Sequence, residues 1–231
     1  MLIKTNNHLF LFFEELVNGK GELAVSKINP DTMKLEDSSK TILTRATHLS
    51  YPFVFSVNNA WYMIPENSAS GQLAIYQSEE FPYKWKTFRV VFDNEEWLDT
   101  TPLYYNGKWW IFSTKKPVDY ASSYQELHLF FCDDILFDQW IPHPENPVVS
   151  DIRKARPGGA LFWHDEKLYR PAQNCYNRYG GSLFLCEVQE LSEYKYREKV
   201  IKELKFPWYK KMSSFHTIAV YKDNVVGDCN F

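Results

Sequence analysis

Carboxylates, imidazoles and a guanidinium stand at the ends of apolar, aromatic runs in this sequence. Asp99 opens Asp99-Thr100-Thr101-Pro102-Leu103, Glu66 closes Tyr62-Met63-Ile64-Pro65-Glu66, and Glu15 closes Leu11-Phe12-Phe13-Glu14-Glu15. Arg156 precedes Pro157-Gly158-Gly159, His216 lies in Phe215-His216-Thr217-Ile218, and Tyr51 opens Tyr51-Pro52-Phe53-Val54-Phe55 with His48 just ahead of it. Thr114 and Gln173 close two further runs, Trp110-Ile111-Phe112-Ser113-Thr114 and Tyr169-Arg170-Pro171-Ala172-Gln173. Two carboxylates that meet can protonate and attack a glycosidic bond. An Arg fork, amides and hydroxyls can hold sugar hydroxyls while aromatic rings cover sugar faces. Asp99 and Glu66 are therefore the catalytic candidates, and Glu15, His48, Tyr51, Thr114, Arg156, Gln173 and His216 the substrate-binding candidates. Glu14, one position from Glu15, is expected to face the other side of its strand.

Such residues can meet only if the chain brings the ends of many strands together. The segment Glu96–Lys115 shows how, because Asn106-Gly107 between two aromatic runs is a strong hairpin signal: both residues tolerate the positive φ that the turn demands. The same plan recurs. Third strands are read at Glu22–Ser26, Gln72–Tyr76, Leu127–Phe131 and Ser182–Cys186, and first strands open at Tyr51, Asp99 and Arg156. A unit of about 50 residues with about four strands is the pattern of propeller blades. The expected fold is an all-β, five-bladed propeller forming a single domain over residues 1–231, with blades near 1–46, 47–95, 96–151, 152–209 and a partial one at 210–231. The run Glu190–Leu204 fits an amphipathic helix by its Leu191, Tyr194, Ile201 and Leu204 spacing or a polar loop with an outer strand; its place in the repeat favours the strand, with its charges on a solvated edge. In that arrangement the starts of the innermost strands and the ends of the second strands surround one axial funnel.

The last blade as read has only two strands, opening at Ser213, and Leu2-Ile3-Lys4 is the tail of a first strand. Unpaired edges are a liability. The expectation is that about 40 or more upstream residues, or a partner chain, complete the ring.

Composition narrows the function classes. The chain has 231 residues with a formal net charge of −3 and interspersed signs, which offers nucleic acid no basic face. Aromatic residues make up 17%, including eight Trp and fifteen Tyr, which suits sheets and sugar-facing clefts alike. Cys132, Cys175, Cys186 and Cys229 are scattered without ligand-like spacing and are read as buried, reduced thiols. No metal, cofactor, membrane span or secretory leader is read from the sequence, and a cytoplasmic location is the default expectation.

The segments HLFLFFEEL, HLSYPFVF with AWYMIPEN, DTTPLYYNGKWWIFST, ARPGGALFW with KLYRPAQN, and SFHTI resemble the domain at the N-terminus of plant glucosamine inositolphosphorylceramide transferases and of bacterial relatives, some fused to formyltransferase-like domains. That domain is similar in fold to the propellers of family 43 glycoside hydrolases. The resemblance implies surface-glycan or glycolipid assembly, a sugar or glycoconjugate ligand, and a fused or partner transferase domain. It also implies acids at the starts of innermost strands in the first, third and fourth blades. Asp99 matches the third. The first would fall just before Leu2, and at the fourth stands Arg156 with no carboxylate.

Overall fold

The structure is a computed structural model that describes residues 1–6, 8–115, 125–205 and 214–228. It divides into two compact units, Met1–Trp97 and Leu98–Phe231.

The first unit holds two antiparallel meanders. One is β1 (Leu2–Lys4), β2 (Leu9–Val17), β3 (Lys20–Ile28) and β4 (Lys40–Leu43); the other is β5 (Ser50–Val57), β6 (Ala60–Glu66), β7 (Gln72–Glu80) and β8 (Lys84–Asp93), each sheet in chain order. The turns are Asn18-Gly19 and Asn58-Asn59, all four at positive φ, which Asn and Gly accept most readily. Period-two alternation points Phe10 and Phe12 of β2 inward, where they join Val54 and Met63 of the second sheet in one core. Phe81 seals this core by stacking on Trp61 at 4.4 Å between ring centroids.

In the second unit the hairpin read from Asn106-Gly107 is present. β9 (Trp97–Tyr105) and β10 (Lys108–Lys115) flank that turn, with φ of 50° and 78° at its two residues. The sheet continues to β11 (Glu126–Cys132), which carries two short partners, β12 (Ile141–Pro142) and β13 (Val149–Ser150). The next sheet runs β14 (Phe162–His164), β15 (Lys167–Asn174), β16 (Ser182–Leu191) and β17 (Tyr196–Leu204). Trp110 and Phe112 of the one sheet and Leu191 and Tyr196 of the other share a core. The Trp110 indole N–H is satisfied by the Tyr105 carbonyl at 3.2 Å. Burying such a ring contributes about 2–3 kcal/mol.

Among the described residues there are four blades, where five were expected. The fifth is a two-stranded ladder, β18 (Ile218–Tyr221) and β19 (Asn224–Gly227), tied to the unit by a parallel bridge between Gly159 and Ile218. Two strands cannot bury a face on their own. Ser213, read as the opening of that blade, lies outside the described residues. The Glu190–Leu204 run does supply β17, but not all of it faces solvent: the Glu198 side chain is only 3% exposed. Arg170 of β15 reaches past Cys186 to meet Glu198 in a two-pronged ion pair, Nε–Oε2 2.8 Å and Nη2–Oε1 2.9 Å. The Tyr196 hydroxyl donates to the same carboxylate at 2.7 Å.

Candidate functional site

The polar starts and ends of strands in the second unit form one buried cluster. Asp99, Thr100 and Thr101 on β9, Ser113 and Thr114 on β10, Arg156 ahead of β14 and Gln173 on β15 are all buried. Polar groups cost free energy to bury unless they are paired. Here they largely pair with one another. Thr100 and Ser113 share a hydroxyl hydrogen bond of 2.7 Å, Ser113 also donates to the Leu98 carbonyl at 3.0 Å, and Thr101 donates to the Asp99 carbonyl at 3.0 Å.

At the centre Asp99 Oδ2 receives two donors, Arg156 Nε at 2.6 Å and Gln173 Nε2 at 2.6 Å. The Gln173 amide nitrogen also donates to the Pro157 carbonyl at 2.7 Å. Both partners are acceptors, so the nitrogen must face them and the amide oxygen is turned the other way. That oxygen and the Thr114 hydroxyl are buried and have no hydrogen-bond partner among the described residues. The cluster thus retains acceptor capacity beyond its internal needs. Asp99 has φ 48°, a left-handed conformation that a non-glycine residue adopts at a cost. Tyr51, at the equivalent start in the first unit, has φ 45°.

Beyond Arg156 the cluster continues through ring contacts. The guanidinium carbon lies 5.0 Å from the centre of the Tyr179 ring, and that ring lies 5.0 Å from the His216 imidazole. Tyr179, on the loop between β15 and β16, keeps 40% of its surface exposed. His216 Nδ1 stands 2.5 Å from Asp228 Oδ2. Burial alone would raise the Asp228 pKa, but the contact with His216 outweighs it and holds the carboxyl below its ordinary range. Room for the histidine depends on Gly180, where a Cβ would strike the His216 ring. Cys175 sits under the same loop, and burial pushes its thiol pKa up despite the nearby Arg156 charge.

The structure therefore brings four of the sequence-read residues, Asp99, Arg156, Gln173 and His216, into one connected constellation; Thr114 is buried near the end of β10 without a contact to them. Tyr179, Asp228 and Cys175 complete it and were not singled out from the sequence. A Pro-Gly-Gly step and a Tyr-Gly-Gly step facing SFHTI were the available hint.

The remaining candidates lie in the first unit. His48 has both ring nitrogens engaged: Nδ1 accepts from the Gly21 N–H at 3.0 Å, and Nε2 faces Glu14 at 2.9 Å. Glu15 accepts from the Ser39 hydroxyl at 2.8 Å near the outer strand β4. Glu66 ends β6 opposite Ser50, its carboxylate 3.3 Å from the Ser68 hydroxyl. Tyr51 occupies a bulge where Tyr51-Pro52 are accommodated between the Ser50–Glu66 and Phe53–Ile64 pairs. Cys132, Cys175 and Cys186 are buried, and Cys229 lies outside the described residues. Among the described residues no group of His, Cys, Asp or Glu side chains is arranged to hold a metal, and no helix is long and apolar enough to cross a membrane.

Comparison with solved structures gives the fold. A thermostable family-43 glycoside hydrolase superposes with a TM-score of 0.63 at 11% identity, covering 90% of this chain and 75% of that one. The Cellvibrio cellulosa alpha-L-arabinanase, solved with arabinohexaose, superposes with a TM-score of 0.61 at 10% identity, covering 86% and 75%. At such identities the likeness shows an all-β propeller fold and nothing about activity. Curated relatives are nearer in sequence. Glucosamine inositolphosphorylceramide transferase 1 of Oryza sativa subsp. japonica is 32% identical over 194 residues, 82% of this chain and 26% of the relative. The Arabidopsis thaliana protein of that name is 32% identical over 194 residues, 82% and 25%. The chain thus spans about a quarter of the length of these relatives. Residues 1–218 match the family described as Glucosamine inositolphosphorylceramide transferase 1, N-terminal, and the chain belongs to that family.

Proposed function

We propose that this chain is a carbohydrate-recognising propeller module serving glycan or glycolipid assembly, its sugar held around Asp99, Arg156, Gln173 and His216. The observation that carries this reading is the Asp99 carboxylate clamped between Arg156 and Gln173. A carboxylate fixed by two donors on one oxygen is an orienting acceptor, well suited to positioning hydroxyls. Tyr179 at the rim supplies a ring for a sugar face. The curated relatives are named glucosamine inositolphosphorylceramide transferases and are about four times longer, and a transferase domain, fused or partnered, is the natural consumer of a sugar delivered here.

A second reading is glycosyl hydrolysis or transfer by the carboxylates of Asp99 and Glu66. It requires a proton donor facing Asp99 across one bond.

Titration of the chain with monosaccharides, disaccharides and sugar nucleotides by calorimetry and saturation-transfer NMR separates these readings. Recognition predicts affinity in about the millimolar range or tighter, weakened tenfold or more by Gln173→Ala. No binding up to about 10 mM overturns it. Release of reducing sugar that disappears in Asp99→Asn and Glu66→Gln would establish the second reading instead.

A further inference from the structure

Residues 182–205 carry five carboxylates and five Lys or Arg side chains, yet these charges do not pair off among themselves. Glu190 takes Lys195 at 3.1 Å and Glu203 takes Lys205 at 2.8 Å. The other three carboxylates are engaged from outside the segment: Glu187 by Lys167 at 3.3 Å, Glu193 by Lys108 at 3.1 Å and Glu198 by Arg170 at 2.8 Å. Arg197, Lys199 and Lys202 are left with no ion-pair partner among the described residues. The formal net charge of −3 conceals this local surplus of positive charge.

The three cations share one face of the sheet. β17 pairs with β16 as Glu190–Arg197, Glu187–Lys199 and Leu185–Lys202, and a bulge at Ile201 returns Lys202 to the side of Lys199. Glu198, between the first two, points to the opposite face, where Arg170 holds it. The row ends at Leu204, which packs with Leu183, Phe215 and Ile218, so the β18–β19 ladder reaches that end of the strand while Arg197, Lys199 and Lys202 all stay exposed. Across the sheet the Lys199 row continues through Glu187 to Tyr169 and Phe162. At about 3.3 Å per residue the cations span about 15 Å along the strand. Lysine on an outer strand commonly serves to keep sheet edges from pairing. The outer strands of the first unit show that use with the charges balanced: Lys84 sits on Glu80 at 2.6 Å, Lys86 on Glu79 at 3.2 Å, and Lys40 over the Tyr83 ring at 4.7 Å. β17 departs from it, because like charges at successive positions of one face repel one another until an anion lies along them.

We propose that this face of β17 binds an acidic polysaccharide, its anionic groups on Arg197, Lys199 and Lys202 and its hydroxyls on the Glu187 carboxylate in the neighbouring row. A polymer fits better than a single anion. The charge is spread along the strand, and each exposed contact is screened and weak by itself, so affinity comes from engaging several at once. Nucleic acid and acidic peptides also supply negative charge, but Glu187 beside Lys199 is an acceptor with lone pairs to spare, which hydroxyls between the charges can use and a bare polyanion cannot. The face uses none of the residues around Asp99, so it stands apart from the proposed function.

The test is biolayer interferometry of the chain against polygalacturonate and heparin at about 50 mM NaCl, with dextran, poly-L-glutamate and a single-stranded oligodeoxynucleotide alongside. At least one of the two acidic polysaccharides is expected to bind with a dissociation constant of about 100 μM or tighter and to be released at about 1 M NaCl, while dextran does not bind. Arg197→Gln, Lys199→Gln and Lys202→Gln together should weaken binding about tenfold or more, and Lys199→Gln alone about threefold. Lys40→Gln, Lys84→Gln and Lys86→Gln together remove the same charge from the first unit and should change it by less than about threefold. Circular dichroism checks that each variant folds. No binding to either acidic polysaccharide, equal losses in the two triple variants, or equal or tighter binding of poly-L-glutamate or the oligonucleotide would overturn the proposal.

Discussion

Arg156 Nε lies 2.6 Å from Asp99 Oδ2, and the two side chains are 7% and 4% exposed. Charges so enclosed depend on each other, because removing either one takes from the other its ion-pair partner in a buried setting. Asp99→Leu or Arg156→Leu is expected to cost about 3–5 kcal/mol, with the double variant costing clearly less than their sum. Urea unfolding of the four proteins checks this. Additive losses would show that the pair is not coupled.

Arg170 and Glu198 form the second enclosed pair, and here the pH dependence has a definite sign. Burial opposes the charge on Glu198, but Arg170 outweighs it and the folded pKa lies below the ordinary 4.5. A carboxylate depressed on folding adds stability that is complete above its unfolded pKa and is lost as pH falls through the folded one. Glu198→Gln is expected to lower stability by about 3 kcal/mol at neutral pH and to flatten the acid limb of the stability curve below about pH 4.5. Urea midpoints between pH 3 and 7 would expose an error if the variant kept the full acid slope.

Gly159 carries the bridge to Ile218 at φ 137°, and a Cβ there would collide with the Ile218 carbonyl oxygen. Gly159→Ala should therefore detach the β18–β19 ladder at a cost of about 2 kcal/mol or more. Faster hydrogen exchange confined to residues 218–227 is the expected signature, and unchanged exchange there would refute it.

The buried thiols should react slowly. Burial raises Cys186 to about 11 and moves Cys175 in the same direction. Since the thiolate is the nucleophile, native-state alkylation at pH 8 should be at least tenfold slower at both than in urea, read by peptide mass spectrometry. Rapid native labelling of Cys175 would mean that the Tyr179 loop opens.

Much of the fold was legible because its signals are local. Asn106-Gly107 fixes a hairpin by its own φ preference, and alternation on Phe10 and Phe12 marks an inward face. In the candidate site Asp99 and Gln173 were legible because each is a polar residue near the end of an apolar strand. Asp228 follows a short strand in an unremarkable Val-Gly-Asp step, and only tertiary packing brings it to His216. Glu198 was read as part of a solvated edge because Arg197 and Lys199 beside it are charged; its partner, Arg170, is 28 residues away. His48, read as a substrate-binding candidate from its place before Tyr51, has a ring that spans Gly21 and Glu14, contacts that the sequence did not signal.

Tyr51 and Asp99 share a left-handed backbone, φ 45° and 48°, although one is aromatic and the other acidic. Asp tolerates such an angle better than most residues but Tyr does not, so the angle they share belongs to the scaffold. The position therefore behaves as an interchangeable socket: whatever side chain is mounted there inherits a fixed aim, so successive blades can be fitted with different chemical tools without redrawing the strand that carries them.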